Sequence, residues 1–161
     1  MVLFRCWMTF FGNIIYWFCH LSKLKTARRE KEILESYAEF LFGVIKTLQK
    51  HEYVSDPRGG ILDWSPWPIT MIARGFRDDC DGAARLSCWM CKFCKEVAFA
   101  NEYIIISGWH INTAHVITIG KLDCITDRWF CFSNNQYFEA NSFDEVLNSF
   151  HYKNLIYYKL R

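Results

Sequence analysis

The sequence carries almost no excess charge of one sign. Its 19 basic and 17 acidic side chains leave +2, too little for electrostatics alone to make a phosphate backbone the partner, so no nucleic acid is expected. No internal repeat and no low-complexity tract is present, which excludes solenoid and fibrous architectures. A disordered tail is equally foreign to a chain that is 52% hydrophobic and 18% aromatic. A secretory signal is also missing, because Arg5 is the only charge at the start and no small-x-small cleavage pattern follows. Cysteine, by contrast, is plentiful: Cys6, Cys19, Cys80, Cys88, Cys91, Cys94, Cys124 and Cys131. An even count suits disulfides in a small secreted protein. Without a signal, reduced thiols in a cytoplasmic compartment are the expectation.

At 161 residues the chain is long enough for one domain with one core. The pattern divides it into an apolar, aromatic segment over 1–25 and a single domain over 26–161. Residues 2–20 are apolar apart from Arg5, Asn13 and His20, and a basic run with Lys23, Lys25, Arg28, Arg29 and Lys31 follows. Gly12 and Asn13 interrupt the stretch, and about 20 consecutive apolar residues are needed to cross a bilayer. The segment therefore reads as an interfacial or core-packed helix rather than a span, which leaves membrane association through residues 2–20 open.

Over Thr26–Gln49 a helical face recurs through Leu34, Tyr37, Ala38, Leu41, Val44, Ile45 and Leu48. His51–Pro68 reads as loop, with a turn at Asp56–Gly60 and Trp64 and Trp67 flanking Pro66. Trp64, Trp67 and Trp109 are the aromatics that could line a cleft. Ala98–Ile106, Ala114–Gly120 and Arg128–Asn134 read as strands, the last two joined as a hairpin. Ser142 and Glu145 form a capping box that opens a short helix to about Phe150, and Asn154–Leu160 reads as a final strand.

The chemistry is expected at Arg74–Cys91, where Asp78, Asp79 and Asp81 crowd Cys80 ahead of small, helix-favouring residues. Carboxylates accept hydrogen bonds from the free N–H groups of a helix start, and the dipole there favours a thiolate nucleophile. The two flanking acids oppose thiolate formation by like charge, unless backbone N–H groups or a cation such as Arg77 absorb theirs. A cysteine nucleophile needs a base and a group that orients the base. Strand parity places His115 with Ile117 and Ile119, and Asn134 with Phe130 and Phe132, each on an apolar face. His110, at an odd offset from His115, should point the other way. For His115 and Asn134 to meet, the hairpin register must set them opposite each other, which requires an even loop or a bulge. A rival site, C-x-x-C-x-x-C at Cys88, Cys91 and Cys94, would need a fourth ligand from Cys124 or Cys131. On a continuous helix these thiols spread over about 9 Å, too far for one tetrahedral ion, so buried helix packing is the expectation.

The segment D-D-C-D-G-A-A resembles the G-D-C-D-D-x-A motif of the transglutaminase-like, papain-related cysteine protease superfamily. Y-V-S-D-P-R-G-G-I-L-D-W-S-P-W-P upstream, with A-H-V-I-T-I-G and F-S-N downstream, resembles small bacterial and phage members, so the likeness covers about Tyr53–Gln136. It departs from the motif in having Asp78 where the family has glycine, and Asn134 where transglutaminases more often have Asp. The resemblance implies an α+β fold with a papain/transglutaminase-like core: a nucleophile helix packed on an antiparallel sheet and preceded by N-terminal helices. It implies Cys80 as nucleophile, His115 as base and acid, and Asn134 as the orienting residue, acting on a protein, peptide or peptidoglycan-type amide by hydrolysis or acyl transfer. No cofactor or metal is expected. A catalytically silent binding module on the same fold is the alternative.

Overall fold

The computed structural model describes residues 2–55, 66–107, 114–123, 128–152 and 154–160, with side chains from residue 10 onward. The turn expected at Asp56–Gly60, Trp64, Trp109 and His110 lie outside the described residues. Two helices, α1 (Val2–Cys19) and α2 (Leu21–Tyr37), open the chain, so the division expected at residue 25 falls inside α2. No helix among the described residues is long and apolar enough to cross a membrane. Asn13 faces inward, fully buried, and its Oδ1 accepts the Trp67 N–H at 2.8 Å. Trp17 Nε1 donates to Thr70 Oγ1 at 3.1 Å. These bonds tie α1 to the short helix α4 (Pro68–Ala73).

The single helix expected over Thr26–Gln49 is two helices, α2 and α3 (Leu41–Leu48). Distant groups make the break. Glu96 Oε2 accepts the Leu41 N–H at 2.6 Å, and the Lys95 N–H donates to the Glu39 carbonyl at 3.0 Å. With those backbone groups satisfied from outside, α3 can fold back on the end of α2. Gly43 allows the approach, since a Cβ there would lie 2.7 Å from the Tyr37 carbonyl carbon. Leu34, Ala38, Val44 and Leu48 are buried as the apolar face requires, but Tyr37 is exposed at the corner.

Strand β1 (Glu52–Tyr53) pairs in parallel with β2 (Arg77–Asp78) just ahead of α5 (Cys80–Cys91). The remaining strands form an antiparallel sheet in the order β6-β5-β4-β3-β7. They are β3 (Val97–Ser107), β4 (His115–Leu122), β5 (Trp129–Ser133), β6 (Gln136–Ala140) and β7 (Leu155–Lys159). β6 has no counterpart in the sequence reading, whose pattern of alternation ends at Asn134. The fold is α+β. Ser142 caps the short helix α6 (Phe143–Asn148) by accepting the Glu145 N–H at 3.1 Å, as the capping box predicts.

Both faces of the sheet are covered. On one, Phe130 and Phe132 join Ala83, Leu86 and Met90 of α5 in the main core. On the other, Ile117, Ile119 and Cys131 pack with Val146 and Leu147 of α6. Thr118 lies against α5, where its hydroxyl donates to the Ala84 carbonyl at 2.7 Å and sits 2.7 Å from Ser87 Oγ. A strand buried on both sides reads as a continuous apolar run, which is how I-T-I-G and F-C-F appear in the sequence.

Candidate functional site

Asp79 has extended backbone and its side chain accepts the Asp81 N–H at 3.1 Å, so it is the N-cap and Cys80 is the first helical residue of α5. The carboxylate expected to be occupied by backbone is therefore Asp79. The cation in the acidic cluster is Arg74, whose guanidinium donates to Asp78 at 3.0 Å. Arg77, the cation named from sequence, turns away to Glu52 at 3.1 Å. Asp78, which stands where the family motif has glycine, does not take the left-handed conformation. Positive φ falls instead on Gly75 and Phe76, three and two residues earlier.

The Cys80 thiol is half-buried, and its Sγ accepts the Val116 N–H at 3.5 Å. The nucleophile candidate thus rests against the backbone at the start of β4, one residue from His115. The His115 imidazole is half-buried, with Nε2 2.8 Å from Ser133 Oγ and its ring 6.3 Å from Phe150. Burial pulls its pKa below the ordinary histidine value, which favours the neutral ring that a general base must present.

The register of the β4–β5 hairpin differs from the one expected. Thr118 pairs with Phe132 and Lys121 with Trp129, so an odd number of residues separates the last partners. Continued toward the hairpin mouth, that register sets Asn134 opposite Val116 and Ser133 opposite Ile117. By parity His115 shares the α6 face with Ser133, whereas Asn134 follows Phe132 toward α5. The expectation failed because it took each strand to have one apolar face, while this sheet is buried on both. Asn134 does not end the strand either. It opens a two-residue turn between β5 and β6 with φ 53°, a conformation Asn tolerates better than most residues. Its buried Oδ1 has no hydrogen-bond partner among the described residues.

The structure therefore brings Cys80 to the His115–Val116 backbone and His115 to Ser133. Ser133 was passed over in the sequence. Its signal was parity with His115, readable only once the loop length between paired residues is known. Trp67, the described member of the expected cleft aromatics, packs on Trp17 with ring centroids 5.2 Å apart. Cys88, Cys91 and Cys94 are buried on and just after α5, with Cys88 Sγ donating to the Ala100 carbonyl at 3.4 Å. Among the described residues the side chains close enough to share a metal are Asp78, Asp79 and Asp81, and no cysteine belongs to that group.

The chain matches no family model, no curated protein and no solved structure. Its likeness to transglutaminase-like proteases rests on motif residues alone.

Proposed function

We propose that the protein is a cysteine hydrolase or acyl-transferase of transglutaminase-like type, with Cys80 as nucleophile and His115 as base. One observation carries the reading: a thiol at the first position of a capped helix accepts a hydrogen bond from the N–H next to His115. For the reaction the His115 ring, which lies on the α6 face, must turn round the start of β4 toward α5. The Cys80 sulfur then adds to an amide carbonyl as His115 takes the thiol proton. N–H groups at the start of α5 hold the oxyanion. The C–N bond then breaks as His115 returns the proton to the leaving amine. Water, or an amine in acyl transfer, attacks the thioester and frees the thiol. Ser133, 2.8 Å from Nε2, takes the orienting place that Asn134, on the opposite face, does not reach.

A second reading, a non-catalytic module, is favoured by the placement of the His115 ring on the α6 face, opposite both Asn134 and the start of α5 that carries Cys80. Alkylation by iodoacetamide, followed by mass spectrometry, separates the two. Cys19 is exposed and labels for that reason alone, so Cys6, Cys19 and Cys124 are first replaced by serine. The enzyme reading expects Cys80 to label well ahead of the buried Cys88, Cys91, Cys94 and Cys131, and His115→Ala to slow it by about a hundredfold. Ser133→Ala and Asn134→Gly then identify the orienting residue. Asn134→Gly keeps the turn and removes only the side chain. Equal slow labelling, indifferent to His115→Ala, would establish the silent module.

A further inference from the structure

The inward side of the α1–α2 pair is accounted for by Asn13, Trp17, Leu24 and Ala27, which are bonded to α4 or buried. The outward side is not. Ile15, Phe18 and Leu21 are 61%, 78% and 64% exposed, and Phe10 adds a further ring at 51%. Ile15 and Phe18, three residues apart, share a stripe of α1; beyond the break at His20, Leu21, Lys25 and Arg28 share a stripe of α2 at steps of four and three. Lys23, Lys25, Arg28 and Arg29 are all exposed, and none forms an ion pair among the described residues. Exposed apolar groups at the end of α1 and the start of α2 are thus followed along α2 by these exposed cations, with no acid between Leu21 and Arg29.

We propose that this surface docks on an anionic phospholipid bilayer, with Phe18 and Leu21 in the acyl boundary and Lys25, Arg28 and Arg29 among the headgroups. Two features select a bilayer surface over other occupants. Exposed Phe18 and Leu21 lead directly to the cations of α2, and at an interfacial helix apolar burial and attraction to anionic lipid act together. A second copy of this chain would bring its own cations against them. Insertion across the membrane is opposed by the buried Asn13 bond to Trp67, which holds α1 to the domain, and by the length and polarity of α1. The proposal stands apart from the chemistry at Cys80.

Co-sedimentation of the full chain with vesicles tests it. Binding is expected to mixed phosphatidylcholine–phosphatidylglycerol vesicles and to fall strongly with pure phosphatidylcholine and with salt. Phe18→Glu should lower the affinity by at least about tenfold, and each of Lys25→Glu and Arg28→Glu by at least about fivefold. All three positions are exposed, and circular dichroism melts of the variants, unchanged from the parent, establish that the fold is intact. A variant that melts early is replaced by Phe18→Ser or Lys25→Gln. Failure of the parent protein to sediment with anionic vesicles overturns the proposal, as does equal binding to neutral ones. A dimer in light scattering that Phe18→Glu dissociates, without vesicle binding, also overturns it by making the occupant a second copy.

Discussion

Replacing Gly82 by alanine sets a local rule against a tertiary contact. Gly82 lies in the first turn of α5, and on helix propensity alone alanine there stabilises by about 1 kcal/mol. The structure reverses the sign. A Cβ at Gly82 would lie 2.6 Å from Asp78 Cγ and 2.9 Å from Asp78 Cβ. Atoms that near the backbone cannot swing aside as the tip of a side chain can. Asp78 is also 1% exposed and hydrogen-bonded to Arg74, so it has nowhere to go. Overpacking of this kind costs about 1–3 kcal/mol, and disturbing a hydrogen bond to a buried carboxylate costs about 1.5–3 kcal/mol. The Arg74 end is partly solvated, which moves that second cost to the lower part of its range. Against the propensity gain, a net loss of about 1.5–4 kcal/mol is expected. Urea unfolding followed by both fluorescence and circular dichroism measures it, with coincident transitions establishing two-state behaviour. In an Asp78→Ala background the Gly82→Ala penalty should shrink by about 1–3 kcal/mol, the coupling expected of residues in contact. A higher urea midpoint for Gly82→Ala would refute the packing of Asp78 against the start of α5, and with it the placement of Cys80.

Burial lowers the pKa of both His51 and His115 from 6.5. Below that pH the unfolded chain binds more protons than the folded one, so stability should fall as the pH drops, by at most about 1.4 kcal/mol per pH unit for each histidine. His51→Leu should flatten the decline, and an unchanged slope in urea titrations between pH 7 and pH 5 would exclude His51 as a cause. Phe132→Ala, at a site 1% exposed and packed edge-on to Phe130 and tilted against Tyr137, should cost about 3–5 kcal/mol, read as a lower urea midpoint. Thr118→Val should cost about 1–2 kcal/mol for its lost hydroxyl bonds, and in a double-mutant cycle with Ser87→Ala the two losses should not add, because the hydroxyls share a bond. Asn134→Ala should cost about 1–2 kcal/mol in thermal or urea melts while Asn134→Gly costs far less, since only the backbone conformation is at stake.

Much of the fold was legible in local pattern. The acid–cysteine–acid run with small residues behind it marks a helix start, and Asp79 caps α5 there. The helix ends at Cys91, short of the continuous helix through Cys94 assumed for the cysteine spacing, because Lys95 and Glu96 are engaged at the α2–α3 break and not in continuing the turn. Alternation and β-branching marked β3, β4, β5 and β7, and Ser142 with Glu145 marked α6. Partner choice was not legible. β7 pairs with β3 across the whole length of the chain between them, and β6 is a strand because the turn at Asn134–Asn135 returns it to β5.

What the sequence by itself determined is the set of groups and their local geometry: a thiol at a capped helix start, a histidine heading one strand, and an Asn-rich turn ending the next. Each follows from bonds within a few residues. Which of those groups meet was decided only by the tertiary structure. The odd separation of paired residues in the β4–β5 hairpin puts Ser133, not Asn134, beside the His115 ring. Helices on both faces of the sheet remove the single apolar side that parity alone had assumed. Register and layer order depend on contacts between residues far apart in the chain, and no local pattern carries them.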